Sequence, residues 1–148
     1  MSITGDHTVE VAAPIARCYE IAADLERAPG WQTSLVSVDV LERDGEGRPA
    51  LVETVSDAKV KTVKSRLRFS YDPPTRIDCA QENGDVKALT GRWTFADLGG
   101  DRTRATYALE VDPGRVLGML LRGPAVDRVR EVLVVQAAEE LKTRAERG

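Results

Sequence analysis

Three polar side chains stand where the residue pattern otherwise puts apolar ones. Glu53 lies between Leu51 and Val55, Ser65 between Val63 and Leu67, and Gln136 within an apolar helical stripe. A dry interior would have to supply a partner for each, and an unpaired buried carboxylate is costly. A watered or ligand-filled cavity accounts for all three. So does a strand register displaced by one residue, which exchanges the two faces. Facing an apolar cavity, Glu53 would lose hydration, its pKa would rise, and it could shuttle protons. Trp31, Phe69, Trp93 and Tyr107 join these residues, with Gly91 on the face of Trp93, where it either leaves room beside the ring or marks a bulge. Such aromatics either fill a core or line a pocket, since ligand pockets are mostly apolar with a few placed polar groups.

Other chemistry finds little support in the 148 residues. The single histidine, His7, sits near a strand start and reads as a surface or packing residue, with a catalytic base as the competing reading. Cys18 and Cys79 fall on apolar faces and read as inert core residues, too few for a zinc cage or a disulfide framework. No metal and no cofactor is expected. There is no G-x-S-x-G nucleophile turn and no glycine-rich phosphate loop ahead of a helix. Lys59, Lys61, Lys64, Arg66 and Arg68 form a basic strip, but the net charge is −3 and no aromatics interleave with it, so nucleic acid is not an expected partner. No apolar run reaches the roughly 18 residues of a membrane span, and stable membrane insertion is not expected. The most apolar connector, Val116–Leu121, is either a short helix over the end of the sheet or a cavity lip in transient membrane contact. The N-terminus lacks the basic and apolar blocks of a signal peptide, which implies a cytoplasmic protein, expected as a monomer or small homo-oligomer.

The elements that must position these residues follow from periodicity. His7–Val11 alternates as a strand. Pro14 then suits a first helical position, and Ile15, Cys18, Tyr19, Ala22 and Leu25 keep helical spacing until Ala28-Pro29-Gly30 breaks it. Alternation predicts strands through Val36, Val38 and Val40, and through Leu51–Ser56. Further strands run from about Val60 to Tyr71, around Ile77 and Cys79, through Leu89–Phe95, and through Ala105–Val111. Asn83-Gly84 predicts a tight hairpin. From Gly123-Pro124 the period changes to that of a long helix with Val126, Val129, Leu133, Gln136, Ala137 and Leu141 on one stripe. Glu140 and Arg144 are spaced for an i,i+4 pair. Hairpin-sized turns make the sheet antiparallel, and only the last helix is large enough to cover its apolar face. One domain is expected over residues 1–148.

Five segments in this order resemble a known superfamily. They are Val9–Pro14 followed by Asp24–Trp31, Leu41–Asp44, Tyr71–Ile77, Gly91–Phe95 and Thr103–Tyr107. Together they resemble the SRPBCC, or START-like, superfamily, in its polyketide cyclase/dehydrase and coenzyme Q-binding-like branch. Gly30 stands where that branch commonly has an acid before the tryptophan. The resemblance implies an α+β helix-grip fold, with a curved seven-stranded antiparallel sheet around a long C-terminal helix and short helices after the first strand. It also implies a cavity for a hydrophobic small molecule (lipid, quinone or polyketide-like), used for binding alone or for cyclisation and dehydration, or else a non-catalytic interaction or chaperone role. The matching motifs mark turns and packing and identify no catalytic set. The expected ligand-binding residues are Trp31, Glu53, Ser65, Phe69, Gly91, Trp93, Tyr107, Val129, Leu133 and Gln136.

Overall fold

The computed structural model describes residues 2–59 and 61–147. Strand β1 (Ile3–Val11) leads into helix α1 (Ile15–Ala23) and a 3-10 segment, Leu25–Gly30. Six strands follow: β2 (Leu35–Arg43), β3 (Pro49–Asp57), β4 (Thr62–Asp72), β5 (Arg76–Gly84), β6 (Ala88–Gly99) and β7 (Arg102–Asp112). Helix α2 (Gly114–Gly118) precedes α3 (Pro124–Arg130), a π-helical segment (Glu131–Val135) and α4 (Gln136–Glu146). Val60, expected at the start of the fourth strand, lies outside the described residues.

The seven strands form one antiparallel sheet in the order β1-β7-β6-β5-β4-β3-β2. Every neighbour from β2 to β7 is also next in sequence, as short turns dictate. Only the pairing of β1 with β7 spans the chain. The sheet is open and curved, and its concave face receives the C-terminal helical run, giving the helix-grip architecture. The main core lies at the α1 and α4 end. Val11, Cys18 and Leu141 have no exposed surface, Ile77 is 2% exposed, and Trp93 and Phe95 pack over them. Burying a leucine of this kind contributes about 2 kcal/mol of transfer free energy.

Alternation identified the faces of β4, β6 and β7 correctly, and three local features depart from the sequence reading. A register shift between Leu35 and Ser37 puts Leu35 against the interior and leaves Val36 57% exposed. Asn83 and Gly84 belong to β5, opposite Arg66 and Ser65, and the turn falls after them. Gly84 is needed for close approach: a Cβ there would lie 2.7 Å from the Lys64 carbonyl oxygen and 2.9 Å from the Ser65 Cα. Glu140 forms no pair with Arg144. Its carboxylate accepts from the Thr33 backbone N–H (3.1 Å) and hydroxyl (2.7 Å), tying α4 to the loop before β2.

Candidate functional site

A cavity of about 160 Å³ lies between the concave sheet face and the C-terminal helical run. Its walls come from side chains that alternation places on one face: Val52 and Thr54 of β3, Ser65, Leu67 and Phe69 of β4, Gly91 and Trp93 of β6, Tyr107 of β7. Val129 of α3 and Leu133 and Val134 of the π-helical segment form the opposite wall. The wider π turn brings the consecutive residues Leu133 and Val134 to the same cavity, an arrangement that π segments often serve at functional sites.

Trp31, half-buried on the turn after the 3-10 segment, closes one end together with Ala28. Ile3, Ala58, Val86, Leu117 and Leu121 line the other end. Beyond them α2 and the residues after it carry Val116, Met119 and Leu120, which are 77%, 63% and 55% exposed. A seam between β1 and α3 is crossed by Arg130, whose Nε donates to the Thr4 carbonyl (2.9 Å) and whose Nη1 contacts Asp127 (3.1 Å). Gly5 makes this crossing feasible, since a Cβ there would lie 2.8 Å from Arg130 Cγ.

Of the ten residues singled out in the sequence, eight lie on this cavity: Trp31, Ser65, Phe69, Gly91, Trp93, Tyr107, Val129 and Leu133. Glu53 and Gln136 do not. Glu53 is on the convex face of β3, where Lys64 Nζ (3.2 Å) and Arg66 Nε (3.1 Å) pair with its carboxylate. Those two cations hold its pKa below the ordinary carboxylate value, the reverse of the rise expected for a proton shuttle. Both faces of β3 carry apolar residues, so alternation sorted the side chains without saying which set is inside. The fully buried Val52 marks the interior face. Gln136 is half-buried and off the cavity wall, because the π turn before it shifts the helical phase.

Thr54, Ser34, Ser56 and Cys79 border the cavity and were not among the expected binding residues. For Cys79 the face was legible from its alternation with Ile77, but nothing in the pattern separated a cavity wall from a filled core. The polar groups are sparse and mostly neutral. Thr54 Oγ1 reaches the Ser65 carbonyl only at 3.5 Å. Among the described residues, the buried side-chain polar atoms without a partner are Tyr19 Oη and Gln81 Oε1, neither of them on the cavity wall, whereas Ser65 and Tyr107 line it. Burial raises the Tyr107 phenol well above its ordinary pKa and pushes the Cys79 thiol up to about 12, so both stay protonated. Among the described residues, no Asp, Glu or His is on the wall. Among the described residues, no group of three His, Cys, Asp or Glu could hold a metal ion, and no helix is long and apolar enough to cross a membrane.

A curved antiparallel sheet gripping its last helix around an apolar cavity defines a START-like, helix-grip protein. Residues 11–136 match the family described as polyketide cyclase / dehydrase and lipid transport, and the chain belongs to that family. It is 32% identical over 145 residues to the granaticin polyketide synthase bifunctional cyclase/dehydratase of Streptomyces violaceoruber. That match covers 92% of this chain and 41% of the relative, so the chain spans less than half of that protein's length. Among solved structures, a START superfamily protein from Mycobacterium smegmatis superposes with a TM-score of 0.84 at 23% identity, covering 97% of each chain. A Streptomyces aromatase/cyclase superposes with a TM-score of 0.77 at 24% identity, covering 99% of this chain and 95% of that one. These two likenesses carry the fold.

Proposed function

We propose that the chain binds a hydrophobic small molecule between sheet and C-terminal helix. The observation that carries this reading is the cavity between sheet and C-terminal helical run, walled mainly by apolar side chains with a few hydroxyl-bearing residues among them. Binding affinity would come mainly from apolar area removed from water, at about 25 cal/mol per Å² before the entropic losses of association. The volume of about 160 Å³ matches an apolar pocket known to take benzene, roughly 150 Å³. In the conformation described, the cavity therefore suits a single-ring compound, and a larger ligand requires the α2 end to open. The reading includes a cytoplasmic site of action and a monomer or small homo-oligomer.

Cyclase or dehydratase chemistry in the same cavity is the second reading, favoured by the granaticin relative. It would have to work through neutral donors such as Tyr107 and Ser65, because among the described residues no carboxylate or imidazole reaches the wall. Binding without chemistry needs none of these groups to ionise and is the simpler account. Native and denaturing mass spectrometry of detergent-free protein tests the proposal. The expected result is an organic mass released on denaturation, or stabilisation of the apo protein against heat by single-ring apolar compounds. A clean apo mass together with no thermal shift across such compounds, quinones and fatty acids would overturn it in favour of a non-catalytic interaction module.

A further inference from the structure

The turn that closes the far end of the cavity is apolar on two sides. The backbone N–H groups of Met119, Leu120 and Leu121 donate to the carbonyls of Arg115, Leu117 and Gly118, so the turn of α2 continues to Leu121. Leu117 and Leu121, four residues apart, are 9% and 7% exposed and lie on the cavity. Val116, Met119 and Leu120, spaced three and four apart, share a second face, and each is more than half exposed. A helical turn that is apolar all round is ordinarily buried. Here one face is spent on the cavity and the other stands in water.

The charges around this second face have one sign. Between Asp112 and Asp127 the chain has two arginines, Arg115 and Arg122, and no acid. Both arginines are exposed, and among the described residues neither pairs with a carboxylate. The bracketing acids are engaged: Asp112 accepts from the Gly114 backbone N–H (3.0 Å) and faces Lys87, and Asp127 pairs with Arg130 (3.1 Å). Lys61 adds an exposed cation on the cavity wall at the same end, where its carbonyl accepts from the Ala58 N–H.

We propose that this face docks, weakly and reversibly, on an anionic lipid bilayer, with Val116, Met119 and Leu120 among the acyl chains and Arg115 and Arg122 at the phosphates. The proposal goes beyond ligand binding and does not depend on it. A bilayer fits better than a protein, because three apolar side chains fall far short of the roughly 20 residues a side of a stable interface. A second copy of the chain fits worse still, since a two-fold contact would bring the unpaired arginines of both copies to one small patch. The net charge of −3 turns the rest of the molecule away from such a surface and confines contact to this end. Docking would set the cavity end against hydrocarbon, so that an apolar molecule could enter without crossing water.

Flotation with vesicles tests the proposal, using phosphatidylcholine alone and phosphatidylcholine with about one-third phosphatidylglycerol. The wild type is expected to bind the anionic vesicles, less so as salt rises, and the neutral ones about tenfold more weakly or worse. Met119→Gln/Leu120→Gln and, separately, Arg115→Gln/Arg122→Gln should each weaken anionic binding about tenfold. Val36→Ser, at an exposed apolar position on β2, should leave it unchanged. The arginine pair removes no packing, so it keeps the test valid should the first double variant perturb the fold. A wild type that floats with neither vesicle, or double variants that bind as the wild type does, would overturn the proposal. So would a wild-type dimer in light scattering that Met119→Gln/Leu120→Gln splits, which would assign the face to self-association. Each of these failures leaves the ligand cavity standing, because ligand release and thermal shift are measured without vesicles.

Discussion

Replacing Thr103 with valine should destabilise the protein by about 2 kcal/mol, although the two side chains have nearly the same shape. Thr103 has no exposed surface, and its Oγ1 donates to the Ala13 carbonyl at 2.8 Å across the corner where β1 gives way to α1. The equally buried Cys18 thiol lies beside the Thr103 side chain. Valine leaves the Ala13 carbonyl facing a methyl group, and an orphaned buried acceptor costs about 1–3 kcal/mol. Thr103→Ser keeps the hydroxyl and removes one methyl, which costs about 1 kcal/mol including the small void. The expected order is wild type, then Thr103→Ser, then Thr103→Val. For a chain of this size 1 kcal/mol corresponds to about 2–4 °C in Tm. The assay is urea unfolding with a shared m value, backed by thermal unfolding of all three proteins. A valine variant as stable as the serine variant, or more so, would refute the argument and show that packing at the corner outweighs the hydrogen bond.

Two more outcomes follow from the charges and thiols. The Lys64 and Arg66 cations lower the folded-state pKa of Glu53, so its contribution to stability is present above the unfolded-state value of about 4.3 and is lost as pH falls through the lower folded value. Glu53→Gln should therefore flatten the acid limb of a stability–pH curve, measured by denaturant midpoints, and leave the binding of single-ring compounds unchanged; altered binding would return Glu53 to the site. Cys18 is fully buried and Cys79 sits half-buried on the cavity wall with its pKa pushed up to about 12, so neither should react with a bulky thiol reagent at pH 7.5. Both should react in urea, and rapid labelling of the native protein would show that the cavity opens far more often than its walls suggest.

How far the sequence exposed this architecture depended on what each residue type constrains. Period-two runs such as Val63-Ser65-Leu67-Phe69 and Leu89-Gly91-Trp93-Phe95 have one strongly apolar side, so their inner faces were plain. On β3 the runs Leu51-Glu53-Val55 and Val52-Thr54-Ser56 are nearly balanced, and only the opposing strand, with Lys64 and Arg66 above Glu53, decides which is outside. Gln136 followed an ideal 3.6-residue period that the chain abandons at Glu131–Val135, and no residue in that stretch announces a π turn. Asn83-Gly84 has the composition of a hairpin tip, but Gly84 answers a need for close backbone contact that its sequence neighbours do not reveal. The convergence of Cys79 and Tyr107 on Gly91 depends on three strands in register, a relation between segments that no local pattern encodes.

The π-helical segment also limits how this chain can vary. Residues before it, including Val126 and Val129, face the cavity end of the protein, whereas Ala138, Leu141 and Ala145 after it face the main core. One residue of an α-helix turns the chain by about 100°. Deleting a single residue between Glu131 and Val135 would restore an ordinary helix and swing everything beyond it off the core, or everything before it off the cavity. Substitution can reshape the two ends independently, but a change of length here would touch both at once. The segment acts as a fixed gear between the part of the helix that holds the fold and the part that meets the ligand, and descendants of this sequence should differ there in side chains and keep the residue count.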